Sequence, residues 1–220
     1  MKTQTPPTRL ARRTKKEKKQ IIFRRTLAVI LMILAACLIW RFRTPAKEES
    51  DNPLPDVVPE WVERSILEVN PYSRPGTPLD AVNGVVIHYV GNPGTTALQN
   101  WHYYEGLATT QETSVSSHFL IDLDGHTIQC VPLNEVAYCS NTRNSDTLSI
   151  ECCHLDDTGE FTPETEKALM ELVQWLCDTY NLSRDQVIRH YDITGKECPR
   201  YYVQYPEAWE AFLDGISFSA

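Results

Sequence analysis

Apolar residues form short unbroken runs in the middle of this chain and recur at helical spacing towards its end. The run Gly84-Val85-Val86-Ile87-His88-Tyr89 has no polar residue before its histidine, as a strand buried on both faces does. After the turn Gly91-Asn92-Pro93-Gly94, Thr95 or Thr96 can cap a helix that runs to about Gly106. His118–Asp122 and Thr127–Val131 read as strands joined across Leu123-Asp124-Gly125-His126, a hairpin. Leu148–Cys152 is a further strand. Thr162-Pro163 then opens the strongest helix, with Glu164 and Glu166 in its first turn. Leu169, Leu172, Val173, Leu176, Cys177 and Tyr180 give it one buried face, and Asn181 can end it. Val187–Arg189 is the next strand, and Trp209, Phe212 and Leu213 mark a terminal helix. Pro59 to Val69 reads as a short helix, and the prolines and glycine of residues 70–78 make that stretch irregular. Helices alternating with strands, one hairpin among them, predict a single α/β domain: a mixed central β-sheet flanked by helices.

Charge divides the chain. Residues 1–45 hold twelve of the 21 Lys/Arg and one of the 29 acids, so the remainder is strongly acidic. From Thr26 to Trp40 fifteen residues carry no charge, against the ~20 that span a bilayer. Ile21-Ile22-Phe23 and Phe42 extend the run, with Arg24 and Arg25 able to snorkel. Lys15, Lys16, Lys18 and Lys19 precede it. This predicts an uncleaved signal anchor over residues 26–43, with residues 1–25 in the cytoplasm and the acidic domain outside. A cleaved signal peptide fits the long basic lead poorly. A lipoprotein signal at Leu34-Ala35-Ala36-Cys37 meets a further apolar stretch, Leu38-Ile39-Trp40, where a polar mature chain normally begins. All three versions export the domain. The basic lead runs straight into this apolar segment and is not a nucleic-acid domain, and the acidic part is poorly suited to polyanions. Residues 44–58 are rich in proline and acids and read as an extended linker. With the short helix, residues 44–69 lead into a domain over residues 70–220.

The candidate chemistry lies in residues 189–199, Arg-His-Tyr-Asp-Ile-Thr-Gly-Lys-Glu-Cys-Pro. A strand followed by a turn at Thr194-Gly195 can bring His190 and Cys198 to one point, with Lys196 close by. Neutral imidazole and thiolate are both good zinc ligands, and His88 at the end of its apolar run is the candidate third. Taken singly, a strand-end histidine is usually a hydrogen-bonded structural residue and a cysteine a small buried hydrophobe. The three beside hydrophobic runs point to a metal site. Seven cysteines leave six outside the membrane segment; export permits disulfides, and buried free thiols fit equally well. Cys152 and Cys153, neighbours on a strand, face opposite sides, which disfavours a second metal cluster with His154. His102 on the first helix and His126 in the hairpin turn read as solvent-exposed.

Four segments occur together in order: Val86-Ile87-His88-Tyr89, Ser117-His118-Phe119 with Asp122-Leu123-Asp124-Gly125, Ser149-Ile150-Glu151, and Arg189 to Pro199. In this the chain resembles the zinc-dependent N-acetylmuramoyl-L-alanine amidases, which share a fold with T7 lysozyme and the peptidoglycan recognition proteins. The resemblance covers roughly Asn70 to Phe212. It implies one zinc ion per chain held by His88, His190 and Cys198, with water in the fourth position. It makes Glu151 the general base and Lys196 the group that steadies the transition state. Members that use a tyrosine as base carry it where this chain has Ser117, so the glutamate route is the open one. The implied substrate is peptidoglycan or muramyl peptides, cut between N-acetylmuramic acid and L-alanine, outside a bacterial cell membrane. His118 reads first as a structural residue and second as a substrate contact, and Arg143 and Asn144 are candidate substrate contacts. The rival reading is a membrane-anchored module that binds peptidoglycan without cutting it; such relatives typically lack the cysteine, which is present here as Cys198. No His-Glu-x-x-His is present, which removes the commonest other zinc hydrolase. Nothing in the sequence calls for an obligate dimer.

Overall fold

The computed structural model describes residues 55–218, together with Phe23, Thr26, Leu27 and Met32. The expected cytoplasmic stretch, the anchor over residues 26–43 and the linker up to residue 54 lie outside the described residues, those isolated positions apart. Among the described residues no helix is long and apolar enough to cross a membrane. The fold belongs to the compact unit Asn52–Ala220.

Six strands form one sheet: β1 (Glu63–Arg64), β2 (Val85–Tyr89), β3 (Phe119–Ile121), β4 (Thr127–Gln129), β5 (Leu148–Cys152) and β6 (Val187–Arg189). Their spatial order is β1-β4-β3-β5-β2-β6. Only the β3–β4 hairpin is antiparallel. The α-helices of this unit, among the described residues, are α1 (Ala97–Thr110), α2 (Pro163–Tyr180), α3 (His190–Thr194), α4 (Arg200–Gln204) and α5 (Pro206–Asp214). The mixed sheet flanked by helices is the architecture expected from the sequence.

Strand alternation divides the core into two layers. Val85 and Ile87 of β2, Phe119 and Ile121 of β3, and Leu148, Ile150 and Cys152 of β5 pack with Leu169, Leu172, Val173 and Leu176 of α2. Leu120, Cys130 and Cys153 face the other way and pack with Ala97 and Tyr104 of α1. Cys152 and Cys153 thus lie in different layers, and the six cysteines of the described domain are all free. Val86, His88, Ser149 and Glu151 alternate with the first set, so their side chains share the face opposite α2.

Local chemistry sets the helix ends. Thr96 and Gln99 make a capping box at the start of α1. That helix continues past Gly106 to Thr110 and closes on Gln111 in the left-handed region. Leu107, fully buried, holds the extra turn against a glycine cost of about 1 kcal/mol. Thr162 Oγ1 accepts from the Thr165 N–H at the start of α2, and Asn181 (φ 52°) closes it. Gly84, just before β2, is required by close approach: a Cβ there would lie 2.7 Å from the Gln186 carbonyl oxygen.

The short helix expected over residues 59–69 is absent, and residues 55–69 pack on the domain instead of leading into it as linker. β1 lies parallel to β4, and the Ser65 and Leu67 N–H groups donate to the Gln129 and Cys130 carbonyls (3.0 and 2.9 Å). Leu67 is buried, and Trp101 Nε1 donates to the Ser65 carbonyl. Backbone bonds to an open sheet edge outweigh a weak helical pattern. Asp56 ties down the start of the segment: its carboxylate accepts from Leu133 N (3.0 Å), Gln129 Nε2 (2.8 Å) and Arg64 Nη2 (2.6 Å). Burial opposes ionisation of Asp56, but these donors outweigh it and lower its pKa. A carboxylate depressed in the fold contributes stability that is present above its unfolded pKa and is lost as pH falls through the folded value. Asp56→Ala is expected to cost about 1–3 kcal/mol in denaturant unfolding at pH 7, because buried donors lose their acceptor. The difference should shrink as pH falls below about 4. An unchanged midpoint at pH 7 would mean that this carboxylate clamps nothing.

Candidate metal centre

β5, β2 and β6 run parallel and adjacent, so their carboxyl ends open on the same side of the sheet. Ligands in open α/β sheets bind outside such ends. His88 is the fourth residue of β2, and Glu151, its register partner, is the fourth of β5. His190 follows β6 directly as the first residue of α3. Asp192 accepts from the Arg189 N–H (2.8 Å) and pairs with the Arg189 guanidinium. Arg189 also donates to the Tyr202 carbonyl and lies over the Trp209 ring. The residue before His190 is thus tied to α4 and α5. α3 closes on Gly195 (φ 75°), and the returning chain places Cys198, whose carbonyl accepts from the Tyr191 N–H.

The structure brings His88, His190 and Cys198 together: one donor atom from each lies within 4.8 Å of the others. All three are buried, with exposures of 1, 6 and 1 %. The imidazoles meet edge to face at 4.7 Å between centroids, and His88 Nδ1 is 3.8 Å from Cys198 Sγ. Each histidine uses its other nitrogen elsewhere: His88 Nε2 is 3.3 Å from Ser140 Oγ, and His190 Nε2 is 2.7 Å from Asn141 Oδ1. His190 Nδ1 is buried without a hydrogen-bond partner. Burial first, then the charges of His190 and Lys196, hold His88 well below the usual histidine range. Burial and Lys196 lower His190 as well. Both rings are therefore neutral near pH 7, the form that binds metals. Burial pushes the Cys198 thiol up to about 12, and a bound divalent cation would displace its proton. A soft sulfur, two imidazoles and an orphaned buried nitrogen fit zinc.

Glu151 borders this cluster. Its carboxyl shares a second set of mutually close donors with His88 and Cys139. Oε1 accepts from the Cys139 thiol at 3.4 Å, and Oε2 is buried with no partner. Burial pushes its pKa up to about 8, although Cys139 and Lys196 act against this. Lys196 is exposed on the stretch between α3 and Cys198.

The three candidate substrate contacts are engaged within the domain. His118 is buried beneath β5: Nδ1 accepts from the Ser149 N–H (3.0 Å) and Nε2 donates to the Glu135 carbonyl (2.9 Å). Both nitrogens are engaged inside the fold, so it holds strands rather than substrate. Arg143 pairs with Asp146 (2.8 Å) and lies against Gly84. Asn144 Oδ1 accepts from the Cys139 and Ser140 N–H groups and shapes the loop before β5. Sequence reasoning missed Cys139, Ser140 and Asn141. The only local signal was an asparagine in a polar loop, a residue suited to the positive φ of 51° found at Asn141.

Two neutral histidines and a cysteine at the carboxyl ends of parallel strands, beside a buried carboxylate, define a candidate metallohydrolase. The chain belongs to the N-acetylmuramoyl-L-alanine amidase family, whose model matches residues 78–201. It is 35% identical over 161 residues to a probable N-acetylmuramoyl-L-alanine amidase of Bacillus licheniformis, covering 67% of this chain and 45% of that one. It is 30% identical over 173 residues to the amidase BlyA of Bacillus subtilis, covering 69% and 46%. The chain thus spans less than half the length of these relatives. Among solved structures, a mutant endolysin from Bacillus subtilis superposes with a TM-score of 0.61 at 25% identity, covering 71% of this chain and 98% of that one. An AmpD derivative shares the fold at a TM-score of 0.54 and 20% identity, over 74% of this chain and 99% of the other.

Proposed function

We propose that this domain is a zinc-dependent amidase that cleaves the bond between N-acetylmuramic acid and the L-alanine of the peptidoglycan stem peptide. The observation that carries the reading is the convergence of His88, His190 and Cys198 within 4.8 Å. Family membership supports the bond that is cut. His88, His190 and Cys198 would hold one zinc ion, which supplies Lewis acidity: it acidifies water and polarises a carbonyl. Glu151 is the general base. Its partnerless Oε2 is free to take a proton from water and to pass that proton on to the leaving amine. The Cys139 thiol holds Oε1, so the proton moves at the other oxygen. The exposed ammonium of Lys196 balances the negative charge that develops on the carbonyl oxygen during attack.

The same reading places the domain outside a bacterial membrane, tethered by the apolar segment 26–43. The basic residues before that segment and the acidic domain after it support the orientation. We also propose that the domain works as a monomer: the cluster of His88, His190 and Cys198 needs no donor from a second copy.

The test uses residues 45–220, which include the compact unit Asn52–Ala220. Bound metal and new alanine amino termini released from muramyl peptides are measured with and without a chelator. One zinc per chain, with release lost on chelation, is the expected result. Zinc without release across several stem-peptide types would instead make the domain a binding module. A protein that takes up no zinc would overturn the reading at its base.

A further inference from the structure

Three consecutive residues reach three different members of the site. Cys139 Sγ lies 3.4 Å from Glu151 Oε1, Ser140 Oγ 3.3 Å from His88 Nε2, and Asn141 Oδ1 2.7 Å from His190 Nε2. Regular structure does not do this. A strand sends successive side chains to opposite faces, and a helix fans them around its axis. Here the backbone is bent to the purpose. Asn141 sits in the left-handed region at φ 51°, and a 3-10 turn over Asn141–Arg143 follows. Asn144 Oδ1 gathers the N–H groups of Cys139 (3.2 Å) and Ser140 (2.6 Å). Ser140 is itself buried.

We propose that residues 139–141 orient the metal-binding and proton-transferring side chains, and that Asn141 is the principal positioning residue because it sets the tautomer of His190. A neutral imidazole carries one proton. With Asn141 Oδ1 accepting at 2.7 Å, that proton sits on Nε2 and the lone pair on Nδ1. Nδ1 is the buried atom without a partner, so the lone pair is presented where the other donors converge. Ser140 acts on His88 in the same sense but less firmly. Its contact is longer, and a hydroxyl can donate as well as accept. This inference rests on the zinc reading above and extends it to the residues behind the proposed ligands.

The experiment uses the full chain in detergent. Metal-free protein is titrated with Zn²⁺ against a chromophoric chelator, and its unfolding is followed in parallel without metal. Asn141→Gly keeps a backbone that tolerates φ 51° and deletes the carbonyl. It is expected to bind zinc about 10–100-fold more weakly, with little change in metal-free unfolding. Asn141→Asp restores an acceptor in a residue that also tolerates the left-handed region, and zinc affinity should return to that of the unaltered chain or exceed it. If Asn141→Gly does not fold, Ser140→Ala is read in its place, with a weakening of about 10-fold expected. Equal affinity in the Gly variant overturns the proposal. So does an Asp variant as weak as the Gly one, or, in the reserve arm, an unchanged Ser140→Ala. An unaltered chain that binds no zinc overturns the zinc reading itself, an outcome distinct from all of these.

Discussion

Glu151→Gln is expected to retain zinc and lose turnover by about 10²–10⁴-fold. The two side chains have nearly the same shape, so the packing around a buried position is preserved. Gln can accept the Cys139 thiol proton through its carbonyl, as Oε1 does now. What it cannot do is take up a proton and give it back. Oε2, free of any partner, is the atom whose chemistry is lost. The loss should fall on kcat and leave KM near its starting value, because the carboxyl is asked to act in the transition state and not in holding the substrate. Zinc content and steady-state release of alanine amino termini, measured on the same preparation, decide it. A fully active variant would remove Glu151 from the mechanism. A variant without zinc would show that the carboxyl supports the metal instead.

Cys198→Ala is expected to weaken zinc by more than about 100-fold, beyond what loss of an orienting partner costs, and to reduce release to background. The remaining pair, His88 and His190, leaves the ion with too few protein donors. Cys198 is buried and packed against His88, so the substitution also opens a small void. Cys198→Asp separates the two effects. A carboxylate oxygen is also a good zinc ligand. The Asp variant should therefore recover zinc and part of the turnover, although a carboxylate repairs the packing no better than alanine. Zinc by mass spectrometry under native conditions, beside release rates, is the measurement. Full zinc binding by Cys198→Ala would place the ion elsewhere, with the donors His88, Cys139 and Glu151 the first place to look.

β2 was legible because a parallel strand buried on both faces is written as a continuous apolar run, and β5 because Leu148, Ile150 and Cys152 alternate with polar residues. β2, β5 and β6 have the boundaries that their composition predicts. α2 was equally plain, with a proline start, acids in its first turn and one apolar face. The short α3 and α4 were not legible. Five residues carry no period, and both are held by contacts from far along the chain, such as Arg189 on Trp209 and the buried Tyr202. β1 escaped for the same reason, since its conformation is decided by the free edge of β4. For His118 the sequence left a structural role beside substrate contact, because position beside a hairpin does not reveal which way a side chain points; here it turns inward to Ser149 and Glu135. The loop of residues 139–141 is the extreme case. Its three side chains converge only once Asn144 and a left-handed Asn141 have bent it, and neither effect leaves a pattern along the chain.

β1 has a mechanical consequence. The chain upstream of residue 55 joins the domain through Asp56 and β1, at one end of the strand order β1-β4-β3-β5-β2-β6. The strands that carry His88, Glu151 and the approach to His190 are the last three of that row. A pull on the upstream chain is therefore borne first by the Asp56 clamp and two paired residues, with β4 and β3 between them and the donors. Under load the outer edge would peel before the site felt the strain, so the far edge of the sheet would serve as a fuse for a domain held by the tether proposed above.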